Sequence, residues 1–112
     1  MEPRLSTNIW VKVQIRLCDR LGLGIAVRRR GDGESGAVLV VLNRLALGTS
    51  VFAQVRDADG GLAWLATTGP EPVPEAEAEA YLTRALARDP DLWVLEIEDP
   101  HGRYTFDSKI LR

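Results

Sequence analysis

The residues best suited to chemistry stand in one run, "RRRGDGESGAVLVVLNRLALG", residues 28–48. Gly31, Gly33 and Gly36 fit the dinucleotide spacing G-x-G-x-x-G. Gly31 and Gly36 also fit the glycines of G-x-x-x-x-G-K-[ST]. Both loops hold phosphate on backbone amides where a buried strand gives way to a helix. Here Arg28, Arg29 and Arg30 precede the first glycine, too polar for a central parallel strand. The β-branched "AVLVVL" after Gly36 favours a strand over a helix. Ala37 and Val38 replace the lysine and hydroxyl of the second template, and Asp32 and Glu34 would repel a phosphate. One competing reading makes "AVLVVLNRLALG" a buried helix capped by Gly48. The balance favours a glycine-containing hairpin turn, with no cofactor expected.

Carboxylates offer a second chemistry. Glu96 and Glu98 are two apart on an expected strand and so share a face. Asp57 and Asp59 flank an expected hairpin tip. These carboxylates could hold a divalent metal, with the arginines around it, for hydrolysis or nucleic-acid processing, provided that they converge in one cleft. No lysine or histidine accompanies them in sequence, and Asp57-Ala58-Asp59-Gly60 matches only the start of a calcium loop. Solvated glutamates and a turn account for them more simply, and no metal is expected.

Arg28, Arg29 and Arg30, joined by Arg44 and Arg56, are the candidate basic patch. Strand alternation would send Arg28 and Arg30 to one face and Arg29 to the other, diluting it. Charges at the end of a strand also protect a sheet edge. Nucleic acid is not the expected partner. Nucleophilic catalysis has little material. His101, the sole histidine, sits in the turn "DPHGRY", and Ser35 lies in G-E-S-G rather than G-x-S-x-G. Cys18 reads as buried packing, and Trp10, Trp64 and Trp93 as core.

The elements that must carry these residues follow from periodicity. Residues 8–21 alternate like a strand, yet their length, the N-caps Ser6, Thr7 and Asn8, and the C-cap Gly22 favour a helix. Four β-rich runs follow: "IAVRRR", the doubly covered "AVLVVLN", "SVFAQVR" and "LAWLAT". Asp59-Gly60 signals a hairpin of the primed type between the last two. Pro70, Pro72 and Pro74 keep a connector extended before a helix whose buried face is Ala78, Tyr81, Leu82, Ala85 and Leu86. "LWVLEIE" is a final major strand, with "RYTF" a short candidate partner for it. The expectation is a single two-layer α+β domain over residues 1–112, in the order α-β-β-β-β-α-β(-β). Its sheet is mainly antiparallel with about five strands, and both helices cover one face.

Composition limits the class. At 112 residues, 46% hydrophobic and 27% charged, the chain can bury a core without staples. Its longest apolar run, Ala37–Leu42, is far below the ~20 residues that span a bilayer. One cysteine excludes an internal disulfide. "MEPRLSTN" lacks an apolar signal core, so a cytoplasmic location is expected and a membrane is not. The net charge of −2 hides an asymmetry. Residues 1–56 carry nine basic and four acidic side chains, and residues 57–112 five basic and twelve acidic. Either the two sets face each other in the fold, or they mark a partner surface.

Across nearly its whole length the chain resembles a small bacterial family designated domain of unknown function 1491. The likeness rests on "RLSTNIWVK", "RRGDGESGAVLV", "VRDADGGLAW", "GPEPVPEAEAEAYL" and "RDPDLWVLEIEDPHGRY". It implies a short cytoplasmic bacterial protein and carries no catalytic or binding residue with it. The functional expectation is a non-enzymatic module that binds another protein or itself, and the metal-dependent enzyme is the alternative.

Overall fold

The structure, a computed structural model, describes residues 6–111; residues 1–5, read above against a signal segment, lie outside it. Helix α1 spans Thr7–Leu21. The Ser6 hydroxyl accepts the N–H of Ile9, and Gly22 closes the helix at φ 70°, where a glycine has no Cβ to strain. Val11, Gln14 and Cys18 are buried at helical spacing, whereas Ile9 and Val13, which alternation would bury with Val11, are each 49% exposed. The helical period wins.

Among the described residues six strands form one sheet: β1 (Gly24–Arg29), β2 (Val38–Asn43), β3 (Thr49–Arg56), β4 (Leu62–Ala66), β5 (Trp93–Glu98) and β6 (Ile110–Leu111). Helix α2 (Glu75–Arg88) lies between β4 and β5 in sequence. The spatial order is β1-β5-β2-β3-β4-β6. Pairings β1–β5, β2–β3 and β3–β4 are antiparallel, and β2–β5 and β4–β6 are parallel. The α+β class and the element order agree with the sequence expectation.

The layering differs. Val38, Val40 and Leu42 pack with Val11 and Cys18 of α1, while Leu39 and Val41 pack with Ala78, Leu82 and Ala85 of α2. The helices therefore cover opposite faces and the domain has three layers, not two. A strand as apolar as β2 needs cover on both sides, and two helices on one face could not supply it. Three local expectations also change. Strand β5 inserts between β1 and β2, so residues 30–37 form a turn-containing crossover rather than a hairpin loop. Asp59 keeps a negative φ and only Gly60 turns left-handed, at φ 81°, so the β3–β4 hairpin does not use a primed turn.

The third change concerns "RYTF", which makes no strand. Asp99, 1% exposed, accepts the N–H groups of Arg103 and Tyr104 at 2.8 and 2.9 Å and bends the chain away from β5. The Tyr104 hydroxyl then donates to Gln14 Oε1 at 2.7 Å, which satisfies the buried amide of α1. Asp107 accepts the indole N–H groups of Trp10 and Trp64 at 2.9 and 3.0 Å. This strap fastens α1 to the sheet, and the last strand pairs with β4 instead.

Candidate functional site

The glycine run is held by close backbone approach. A Cβ on Gly31 would stand 2.1 Å from the Asp91 carbonyl oxygen, and one on Gly36 would stand 2.7 Å from the carbonyl oxygens of Asp32 and Asp91. Gly33 has room. The Asp32 carboxylate accepts both N–H and hydroxyl of Ser35 at 3.0 Å, and these bonds hold its pKa below the usual range. Gly36 leads into strand β2, not into a helix N-terminus.

The four candidate acids occupy two ends of the sheet. Glu98 pairs with Asn43, and Asn43 pairs with Thr49, the first residue of β3. Asp57 follows Arg56, the last residue of that strand, roughly 25 Å away at strand rise. Asp57 accepts the N–H groups of Asp59 and Gly61, both at 2.9 Å, and Lys109 Nζ at 2.8 Å. Lys109 first, then the turn amides, lower its pKa. Convergence in one cleft, the condition for the metal-enzyme alternative, is not met. Among the described residues no group of three or more potential ligands is arranged to hold a metal ion.

The arginines also separate. A bulge after Val27 breaks the alternation of β1 and turns Arg28 and Arg30 to opposite faces, contrary to the simple period-two expectation. Arg30 lies 5.4 Å from the Trp93 ring centroid on the α1 face. Arg29 donates to the Pro90 carbonyl at 2.9 Å. Arg56 donates to the Gly60 carbonyl at 2.7 Å in the hairpin. Arg44 lies against Gly102, its Nε buried without a hydrogen-bond partner among the described residues.

One basic and one acidic candidate do meet. Arg28 binds both oxygens of Glu79 on α2, at 2.7 and 2.8 Å, and Glu96 on β5 at 3.0 Å. The bonds to Glu79 raise the guanidinium's pKa and lower that of the Glu79 carboxyl. The other oxygen of Glu96 accepts Asn43 Nδ2 at 3.3 Å. Asn43 Oδ1 in turn accepts the N–H of Leu45 at 2.9 Å. A continuous polar chain thus runs from α2 through β1, β5 and β2 into the β2–β3 loop.

That loop is unusual. Leu45–Leu47 form a single 3-10 turn closed by Leu47 N–H to Arg44 O and Gly48 N–H to Leu45 O, at 3.2 and 3.0 Å. Leu45 has φ 55°, the one left-handed non-glycine residue among those described. Leu45 and Leu47 are 52% and 63% exposed. Leucine in this conformation is strained by about 1–2 kcal/mol. Two leucines are therefore held toward solvent on a hydrogen-bonded loop. Residue types alone missed this site; the Asn43 Asx turn was its local signal.

Fold and site define a small α+β domain whose polar residues tie strands, a helix and an apolar surface loop together. The chain belongs to the family described as protein of unknown function (DUF1491), which matches residues 5–107. It is 36% identical to a DUF1491 family protein of Caulobacter crescentus CB15 known from a crystal structure, with a TM-score of 0.85 over 96% of this chain and 100% of that one. An NMR structure of a DUF1491 family protein from the same organism gives 35% identity and a TM-score of 0.83, over 99% and 100% of the two chains. Protein Atu0922 of A. tumefaciens, 24% identical over 86% of each chain, shares the fold at a TM-score of 0.73. No curated protein matches the chain. Among the described residues no helix is long and apolar enough to cross a membrane.

Proposed function

We propose that the protein is a non-enzymatic protein-interaction module that presents Leu45 and Leu47 to an apolar pocket on a partner protein. The observation that carries this reading is the strained, outward Leu45. Strain at a surface leucine is retained where the conformation serves a contact, since glycine or asparagine would sit there relaxed. A rigid apolar projection also loses little entropy on docking. The Glu79–Arg28–Glu96–Asn43 chain supports it by fixing the loop to three strands and a helix.

The test compares proteins captured from the source organism's lysate by the wild type and by Leu45→Asn/Leu47→Asp. Circular dichroism and melting verify that the variant is folded. At least one protein should be retained by the wild type and lost by the variant. Identical captured sets from two equally folded baits would refute the reading.

A further inference from the structure

We infer that two copies of this chain associate through strand β1, side by side and antiparallel, extending the sheet across a two-fold axis at Ala26. This goes beyond the leucine-loop reading and uses a different surface. Strand β1 ends the sheet, so one side of its backbone has no ladder partner among the described residues. Its charged, bulged end at Arg28 and Arg29 blocks pairing there, but Gly24–Val27 carries no charge and precedes the bulge.

A second copy fits what the strand presents. With Ala26 on the axis, Ile25 of each copy stands opposite Val27 of the partner subunit. Ile25 packs on the α1 face, and Val27, two residues on and 42% exposed, shares that face. Two apolar cross-strand pairs result.

The charges fit the same arrangement. Antiparallel pairing brings the arginine end of one β1 to the Gly24 end of the other, where Gly24 is in register with Glu98. Glu98 is exposed, without an ion pair among the described residues, beside a shallow notch lined by Gly24, Ile25, Ala26 and Glu96. Arg29, which donates to the Pro90 carbonyl and forms no ion pair among the described residues, lines a cleft on the α2 side with Glu79 and Val94, and Glu98 is four residues beyond Val94 on the same face of β5. Arg29 of each copy can therefore reach Glu98 of the partner subunit, twice by symmetry.

Light scattering and sedimentation over micromolar to millimolar concentration test this, together with Arg29→Glu, Glu98→Arg and the double swap. The wild-type mass should rise from that of one 12.4 kDa chain toward two. Each single swap should weaken association about tenfold, because symmetry breaks two pairs at once, and the double swap should restore it. Ala26→Cys should form a disulfide-linked dimer on mild oxidation, since paired strands place facing Cα atoms about 4.5–5.5 Å apart. A wild type that stays monomeric with an Ala26→Cys variant that does not cross-link overturns the inference. So does a dimer indifferent to both swaps. Leu45→Asn should leave the dimer intact, which separates this result from the leucine-loop test.

Discussion

Arg28 and Glu79 meet through two parallel hydrogen bonds of 2.7 and 2.8 Å, fastening the edge strand β1 to helix α2. Their side chains are 33% and 42% exposed, so solvent screens much of the attraction. A double-mutant cycle with Arg28→Ala and Glu79→Ala should give a coupling of about 0.5–1 kcal/mol near pH 7. Because the folded pKa of Glu79 is lowered, the contribution is fully present above the unfolded value of about 4.5 and fades as pH falls through the folded value. Urea denaturation at pH 7 and pH 3 measures it. A coupling that grows in acid would contradict the pairing.

The crossover glycines separate cleanly. Gly31→Ala and Gly36→Ala each drive a Cβ into main-chain atoms and should cost roughly 2–3 kcal/mol or more. Gly33→Ala meets only the Asn8 Cβ, at 3.8 Å, and should stay within about 0.5 kcal/mol. Millimolar ATP or NAD should leave the melting temperature of the wild type unchanged. Stabilisation by either nucleotide, lost in Gly33→Ala, would reopen the phosphate-loop reading.

The sequence revealed elements better than it revealed their neighbours. Ser6 and Gly22 located α1, and the Ala78–Leu86 spacing located the buried face of α2, because caps and periodicity are local. That β5 would part β1 from β2 is a non-local fact, and with it went the hairpin expected at residues 30–37. Continuous apolarity in β2 already demanded cover on both faces, a signal at odds with the two-layer expectation. At the site, Arg28 and Glu96 were visible as charges, but 68 residues separate them and nothing local joined them. Asn43 and Leu45 stayed hidden because neither residue type suggests chemistry; only φ marks the leucine.

Cys18 is fully buried, and burial raises its thiol pKa, with Asp19 and Asp99 adding to the shift. Little thiolate forms at neutral pH, and a reagent cannot reach it. Labelling with a thiol-reactive probe should be slow in the native protein and fast in urea. Rapid native labelling would remove Cys18 from the core and restore a reactive role.

Asp99 should matter more for stability than any exposed candidate acid. Its removal strands two N–H groups, one of them on buried Tyr104. Asp99→Ala should lower stability by about 2–3 kcal/mol, and Tyr104→Phe, which leaves Gln14 without its donor, by about 1–2 kcal/mol. Denaturant midpoints decide both. An Asp99→Ala variant as stable as the wild type would mean that the strap holds without its turn.

Leu45 gives the sharpest test of why the loop is built as it is. At φ 55° a leucine is strained, whereas asparagine tolerates the left-handed region and its amide is indifferent to solvent. Replacing a half-exposed leucine forfeits little burial, because 52% of its surface already faces water. Leu45→Asn should therefore leave stability unchanged or raise it by up to about 1 kcal/mol, on the order of 4–8 °C in melting temperature. A substitution that stabilises the fold while abolishing partner capture would separate function from folding at one residue. If Leu45→Asn instead lowers the melting temperature by several degrees, the side chain is packing the fold, and its outward conformation needs no partner to explain it.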